Sequence, residues 1–317
     1  MDQRTARLIA PAKLNLGLRV LYKRADGFHE LRTLFQTISL ADTIEVTFTP
    51  ARGRSISLDS NLDIPGNLIV RAAEALLDET GARGCVHFTL TKTIPMGGGL
   101  GGGSTDAAAV LLGLPALLGK IVPMSVLSAI GARLGSDVPF FLYGGRALGL
   151  GRGTELYPVP DGPSEPLVLL VPGFAVSTPE AYRVLSARLP SDAGAGAASA
   201  FEAEVWAREG RRFFSEKRAR LVNDFEAVVF EQFPELLAIQ KKLARAGASP
   251  AGMTGSGSTM FGVFGDAELA KMAAAKFGAG AVVARTLTRS QYRKMWLRRL
   301  GDHIDDESWP PRSKWGR

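Results

Sequence analysis

Residues 95–106 read Pro-Met-Gly-Gly-Gly-Leu-Gly-Gly-Gly-Ser-Thr-Asp, and six of the seven residues from Gly97 to Gly103 are glycine. The alternation of Val86, Phe88 and Leu90 predicts a strand before this run. The apolar stretch from Ala107 to Leu118 predicts a helix after it. A glycine loop between a strand and a helix start is a simple peptide device for holding phosphate. Glycine admits positive φ and close backbone approach, so several N–H groups converge on an anion. The helix N-terminus adds its partial positive charge. Ser104, Thr105 and Asp106 supply candidate cap oxygens at that terminus, and hydroxyls there are within reach of a phosphate-bound metal.

The loop is not of the commonest types. A Walker A loop ends in Gly-Lys-Ser/Thr, whereas Ser104 follows the last glycine here. Gly97, Gly99 and Gly102 satisfy a dinucleotide-binding spacing, but that fold also needs an acidic residue about 20 positions on. No Asp or Glu occurs from Leu117 to Leu127. The protein-kinase motifs are absent as well. A flexible linker fits poorly with Leu100 at the centre and the Ser-Thr-Asp group at the end.

The 317 residues suggest two domains, with a boundary near residue 160. Hydrophobic content of 46% with 22% charged residues suits a packed globular chain rather than a disordered one. Strands are expected at 14–20, 31–40, 43–48, 86–90, 167–171, 260–264 and 282–286. Helices are expected from Asn67, over 104–118, from Pro123 to Leu134, and at 201–216, 220–232, 234–246 and 266–277. Pro115 should kink or end its helix. Residues 190–200 read as a low-complexity surface loop. The pattern is α+β. Residues 1–160 form an N-terminal phosphate-loop domain, residues 161–300 a C-terminal domain, and residues 301–317 a poorly ordered basic, proline-containing tail.

No apolar run is long enough to span a bilayer, and Met1 to Lys13 lacks the apolar core of a secretory signal. The single cysteine, Cys85, forms no intramolecular disulfide; it reads as a core thiol in a reducing, cytoplasmic setting. The net charge of +7 is uneven. Arg285 to Arg317 carries nine Lys/Arg against four Asp/Glu, and Arg208, Arg211, Arg212, Lys217, Arg218 and Arg220 form a second cluster. Such a balance attracts polyanions, whether nucleic acid or small phosphorylated substrates. No nucleic-acid-binding motif accompanies it, and the 208–220 cluster reads most simply as a solvated helix face.

Other segments have bland readings when taken singly. Lys13, in Pro11-Ala12-Lys13-Leu14-Asn15-Leu16, reads as a surface lysine at a strand mouth. Asp26-Gly27-Phe28-His29 is a turn. Asp137, in Gly135-Ser136-Asp137-Val138-Pro139, reads as either a cap or a functional acid. A carboxylate beside the apolar Phe140-Phe141-Leu142 needs a partner. Gly252-Met253-Thr254-Gly255-Ser256-Gly257-Ser258 is a second glycine turn.

Together these segments resemble the GHMP small-molecule kinases. That family has a Pro-x-Lys-x-Asn-type segment, a glycine-rich phosphate loop and a C-terminal Gly-x-Gly turn, all present here in order. The resemblance covers about residues 6 to 290. Within the family, Asp26-Gly27-Phe28-His29, Asn67-Leu68-Ile69-Val70 and Asn223-Asp224-Phe225-Glu226 are most similar to the branch that acts on a cytidine-diphosphate-linked methylerythritol. The resemblance implies a two-domain fold, with an N-terminal ribosomal-protein-S5-like domain, a C-terminal α/β sandwich domain and a cleft between them.

It also implies roles. ATP would be the phosphoryl donor and the 2-hydroxyl of the methylerythritol unit the acceptor, in isoprenoid precursor synthesis. Asp137 and Lys13 match the catalytic pair. Pro95, Gly97, Gly98, Gly99, Leu100, Gly101, Gly102 and Gly103 would wrap the ATP phosphates, with Ser104 and Thr105 near Mg²⁺. Asn67 and Lys92 match positions near the adenosine. His29 matches the residue that reads cytosine. Phe28 and Tyr182 match the aromatics that sandwich it, with phenylalanine standing where the family usually has tyrosine. Asn15 and Thr178 match polar positions on the substrate side. The expected partner is a small molecule, with no nucleic acid and no membrane, for a monomer or homodimer. Another family member, such as a homoserine, galactose or phosphomevalonate kinase, is the alternative reading. A nucleic-acid binder using the basic tail is a more distant one. The tail after about residue 290 has no counterpart in the resemblance.

Overall fold

The computed structural model describes residues 3–189, 194–207 and 222–316. Two long antiparallel strands set its frame. β1 (Arg4–Lys23) pairs with β2 (His29–Pro50) along nearly its whole length, with register shifts after Pro11, Asn15 and Val20. The Asp26–Phe28 turn joins them, with Gly27 at φ +85° and Phe28 N–H donating to the Asp26 carboxylate at 3.1 Å. β3 (Arg54–Ser60), α1 (Leu68–Thr80) and β4 (Gly84–Thr91) follow. Next come α2 (Gly102–Leu118), α3 (Met124–Leu134), α4 (Val138–Tyr143), β5 (Arg146–Gly151) and β6 (Glu155–Pro158).

The first sheet has the order β3-β4-β2-β5-β6, with β1 on the other side of β2. β3 and β4 are parallel, as the crossover through α1 requires. Val86, Phe88 and Leu90 pack inward with Leu76, Leu111 and Leu112 of the helices. The period-2 pleat therefore turns Cys85 outward, and it is exposed rather than the core thiol expected.

The second half contains β7 (Pro166–Leu170), α5 (Thr178–Ser186), α6 (Gly194–Trp206), α7 (Phe225–Gln232) and α8 (Pro234–Arg245). β8 (Ala251–Met253), β9 (Met260–Val263), α9 (Ala267–Phe277) and β10 (Ala281–Arg285) complete a second sheet of order β10-β7-β9-β8. β1 runs through all three apolar clusters. Leu8 and Ala10 sit in the helical core; Ala12, Leu14 and Leu16 meet Leu167, Leu169 and Phe261 of the second sheet; Leu18 and Val20 join Phe225 and Val228. Both faces of the strand are covered, so its middle is buried residue after residue.

Several sequence expectations change. Residues 194–200, read as loop, are helical within α6; alanine is the best helix former, and the run is rich in it. The helix expected over 201–216 is observed as far as Trp206, and the one expected over 220–232 begins only at Phe225, because Asn223 bridges to Leu18; residues 208–221, with the basic cluster from Arg208 to Arg220, lie outside the described residues. Pro115 does not end α2. It sits in the last turn, where only one backbone donor is lost, and Gly119 caps the helix in a left-handed conformation.

The chain beyond β10 is the largest correction. α10 (Arg289–Leu300) opens with a Thr288/Gln291 capping box and buries Tyr292, Trp296 and Leu300 in the N-terminal helical core. Residues 301–316, expected to be a poorly ordered tail, pack across the same core. The His303 Nε2–H donates to Thr5 O at 2.7 Å, and the Ser313 hydroxyl donates to Ala116 O at 2.7 Å. Ile304 and Trp309 supply the apolar contacts that a charge-and-proline reading overlooks.

Candidate active site

The glycine run follows β4 and opens α2. Gly97, Gly99 and Gly101 have φ of +71°, +76° and +74°, and Leu100 is buried between them as an anchor. Lys13 N–H donates to Leu100 O at 3.0 Å, tying the loop to β1. α2 begins at Gly102. Ser104, Thr105 and Asp106 therefore lie in its first turns rather than at the cap, and Gly101 is the capping residue. The loop rests on the second glycine turn. A Cβ on Gly99 would lie 2.5 Å from Thr254 O, and one on Gly98 would lie 2.5 Å from Thr259 Oγ1. Only glycine permits that approach.

Two hollows meet at this loop. One, of about 330 Å³, is lined by Pro95, Gly97–Gly103, Asn67, Lys92 and Asp106. The other is a cleft of about 910 Å³ that contains Lys13, Asn15, Phe28, His29, Ser104, Asp137, Thr178 and Tyr182. Gly99 and Gly101 border both. A third hollow of about 630 Å³ runs from Leu58 to Glu74 and shares Gly66 and Asn67 with the first.

Asp137 stands at the start of α4 and makes no cap hydrogen bond. Its carboxylate lies 3.3 Å from Lys13 Nζ. That ammonium is 5% exposed, against 32% for the aspartate. The bland readings of both residues therefore fail: the lysine is not at the surface and the acid is not a cap. Lys13 also donates to Asn15 Oδ1 at 2.5 Å, and Asn15 Nδ2 donates to Thr33 Oγ1 at 2.7 Å. Asn15 is held in a fixed pose as a result.

At the far end of the cleft the His29 ring stacks on Tyr182, with centroids 4.8 Å apart. His29 Nε2 lies 2.5 Å from Ser186 Oγ, and the Ser186 hydroxyl donates to Tyr182 O at 2.6 Å. A hydroxyl has one proton, so Nε2 must be the donor and Nδ1 the acceptor. Burial, and then the nearby Lys23 charge, hold the His29 imidazolium below its ordinary range, so the neutral ring prevails at pH 7. Burial, and then the Asp137 charge, push the Tyr182 phenol above its ordinary range. Phe28 is exposed, with the Arg152 guanidinium 3.9 Å from its ring centroid. Thr178 Oγ1 and Ser256 Oγ are 2.7 Å apart.

Lys92 has a different setting. Its Nζ hydrogen-bonds Asp42 and lies 2.8 Å from Asp106 Oδ2, with all three side chains buried. The ammonium touches the loop, since a Cβ on Gly102 would lie 3.0 Å from it. Two carboxylates already meet its charge. Asp106 Oδ1 has no hydrogen-bond partner among the described residues. Burial raises the Asp106 carboxyl to about 7 against the opposing pull of Lys92, and the Asp42 charge adds to the rise.

The structure brings Lys13, Asn15, Phe28, His29, Ser104, Asp137, Thr178 and Tyr182 into one cleft. Asn67 lies apart, at the loop hollow, where its side-chain oxygen caps α1 through Ile69 N–H at 2.9 Å. Thr105 does not reach either hollow: it is buried and its hydroxyl donates to Pro11 O at 2.8 Å. It is therefore unsuited to hold a metal. Sequence reasoning missed Arg152, a lone arginine in a glycine turn, which carried no local signal. Asn223 and Glu226 carried no expected role. Asn223 Nδ2 donates to Met253 O and Gly255 O at 2.8 and 2.9 Å, and Glu226 accepts Met253 N–H at 2.8 Å, so both brace the second glycine turn.

Residues 67–145 match the GHMP kinases N terminal domain, and residues 207–281 match the GHMP kinases C terminal domain. The 4-diphosphocytidyl-2-C-methyl-D-erythritol kinase of Solibacter usitatus is 50% identical over 313 residues, covering 98% of each chain. This chain belongs to the 4-diphosphocytidyl-2-C-methyl-D-erythritol kinase family. The Moorella thermoacetica member of that kinase family is 44% identical over 273 residues, 85% of this chain and 93% of its own. A crystal structure of a 4-(cytidine 5'-diphospho)-2C-methyl-D-erythritol kinase superposes with a TM-score of 0.73 at 38% identity, covering 90% of this chain and 99% of that one. Homoserine kinase from Cytophaga hutchinsonii shares the fold, with a TM-score of 0.65 at 19% identity over 90% and 95% of the two chains. The GHMP kinase fold expected from the sequence is the fold observed.

The buried Asp42–Lys92–Asp106 group makes a stability prediction. Lys92→Met leaves two buried carboxylates facing each other and should cost about 3–5 kcal/mol near pH 7. In the parent protein the folded state holds the Asp106 proton more tightly than the unfolded chain does. The stability this contributes is present below the ordinary carboxylate range and is lost as pH rises toward 7. The Lys92→Met deficit should therefore shrink in acid, where Asp106 takes up its proton and the repulsion is relieved. Urea midpoints between pH 5 and 8 measure this; a deficit that does not vary with pH contradicts it.

Proposed function

We propose that this chain transfers the γ-phosphoryl group of ATP to the 2-hydroxyl of 4-diphosphocytidyl-2-C-methyl-D-erythritol, releasing ADP and the 2-phosphate for non-mevalonate isoprenoid synthesis. The observation that carries this reading is the common wall of the two hollows. Gly99 and Gly101 border both, and the Lys13–Asp137 pair lies in the acceptor cleft beside them.

The nucleotide phosphates lie along Gly97–Gly103, where loop N–H groups and the N-terminus of the 17-residue α2 meet their charge. The adenosine extends past Asn67 into the hollow beneath Leu58–Glu74. The acceptor hydroxyl donates its hydrogen bond to Asp137. As the new oxygen–phosphorus bond forms, the bond to the bridging oxygen of ADP breaks, and Asp137 is the group within reach of the released proton. Lys13 stabilises the negative charge spread over the transferring group. Chemistry of this kind rests on positioning and electrostatics, so few side chains are needed.

Mg²⁺ fits the donor set as a phosphate-bound ion. No cluster of three His, Cys, Asp or Glu side chains occurs among the described residues. Mg²⁺ is commonly held by substrate phosphates, waters and one or two protein oxygens. The Ser104 hydroxyl, which borders the cleft with Asp137, is the protein oxygen suited to it; when bound, the ion would neutralise phosphate charge.

The far end of the cleft suits cytosine. A base between Phe28 and Tyr182 needs only their π faces, so phenylalanine in place of tyrosine is tolerated. The acceptor Nδ1 of neutral His29 matches the exocyclic amine of cytosine. Lys23 and Arg152, also on the cleft wall, suit a diphosphate.

Replacing Asp137 with Asn should lower kcat about 10²- to 10⁴-fold while ATP still binds with its parent affinity. Coupled ADP detection and nucleotide titration check this, and unchanged turnover removes Asp137 from the mechanism. A second test uses pH. Protonating His29 converts Nδ1 to a donor. KM for the cytidylated substrate should therefore climb as pH falls below the ordinary imidazole range of about 6.5, while KM for ATP stays level. A KM for the cytidylated substrate that is flat from pH 5 to 8 contradicts the cytosine assignment.

A further inference from the structure

α4 is six residues long and has two unlike ends. At its start the Asp137 carboxylate faces Lys13. At its finish the last carbonyls of a helix have no donors within the helix. Gly144 N–H meets Phe140 O at 3.0 Å. The next two carbonyls are met by side chains from beyond β10. The Tyr292 hydroxyl donates to Phe141 O, and the Trp309 indole N–H donates to Leu142 O at 2.9 Å.

These donors are rigidly held. Tyr292 is buried, and its ring meets the Trp309 ring edge-on with centroids 6.1 Å apart. Gly144, at φ +63°, gives it room, since a Cβ there would lie 2.3 Å from Tyr292 Cδ1. The segment that carries Trp309 is fastened at both sides. His303 grips Thr5 O on β1, and Ser313 grips Ala116 O on α2. β1 is the strand that carries Lys13, so one C-terminal segment holds both the strand bearing the lysine and the helix bearing the aspartate.

We propose that Tyr292 and Trp309 form a clamp on the C-terminal end of α4 that sets the position of Asp137 against Lys13. They act as positioning residues for phosphoryl transfer. With fewer than two turns between the clamped carbonyls and Asp137, a shift at one end of α4 is carried to the other. The proposal rests on the reading of Asp137 as the group that meets the acceptor hydroxyl.

Tyr292→Phe and Trp309→Phe each remove one donor and keep an aromatic ring. Each should lower kcat about three- to tenfold, the scale of one net hydrogen bond, with both KM values within about twofold of the parent. In an Asp137→Asn background the same changes should cost almost nothing further, because the group they position is gone. Circular dichroism and thermal melts establish that each variant folds. Parent kcat in both clamp variants, alongside a crippled Asp137→Asn enzyme, overturns the clamp and leaves the Asp137 reading intact. Full additivity with Asp137→Asn also overturns it, marking the contacts as stabilising only. Unchanged turnover in Asp137→Asn itself overturns the reading beneath.

Discussion

The site depends on the close packing of one glycine loop against another. Gly98 and Gly99 of the loop after β4 press against Thr254 and Thr259 of the turn between β8 and β9, at distances that leave no room for a Cβ. That contact joins the two sheets where the hollows meet. Asn223 and Glu226 hold the turn from one side, and Asn15 N–H donates to Thr254 Oγ1 at 2.9 Å from the other. The glycines therefore shape the loop after β4 and also let the two halves of the molecule close on it. β1 works to the same end, since it anchors the loop through Lys13 N–H and threads every apolar cluster.

Charge is divided with similar economy. The loop lacks a lysine of its own, and the family resemblance sets Lys13 in the catalytic pair and Lys92 near the adenosine. In the fold they differ. Lys92 is locked between Asp42 and Asp106 and stiffens the base of the loop, whereas Lys13 meets one carboxylate, Asp137, at the edge of the cleft. Under the proposed function, the positive potential that a phosphate would feel comes from backbone donors and the α2 terminus together with Lys13. Asp106, with one carboxylate oxygen unmet among the described residues and its pKa raised, is the strained member of the group.

Much of this was legible in the chain. The strand–glycine–helix order, the amphipathic strands and the Asp-Gly-Phe-His turn are local patterns, and local patterns survive into the fold. The requirement that Asp137 have a partner followed from desolvation alone. What the sequence hid was decided by packing between distant segments. Lone polar residues such as Arg152 gave no period or motif, and Thr105 looked like a free hydroxyl until Pro11 O was brought beside it. The C-terminal segment misled for the same reason. Its charges and prolines suggest solvent, while Tyr292, Trp296, Leu300 and Trp309 are spaced to seal a core that only the folded β1, α2 and α4 create. Thr178 and Tyr182 became neighbours of His29 and Ser256 only through α5.

Under the proposed function the two hollows bring ATP to a cytidine-diphosphate-linked acceptor and to no other. A substrate panel with coupled ADP detection, read together with ³¹P NMR of the product, tests it most directly. The expected result is ADP release matched by a new phosphate monoester on 4-diphosphocytidyl-2-C-methyl-D-erythritol, with no turnover of homoserine, galactose, phosphomevalonate or free methylerythritol. Phosphorylation of one of those acceptors, with the cytidylated compound untouched, would contradict it.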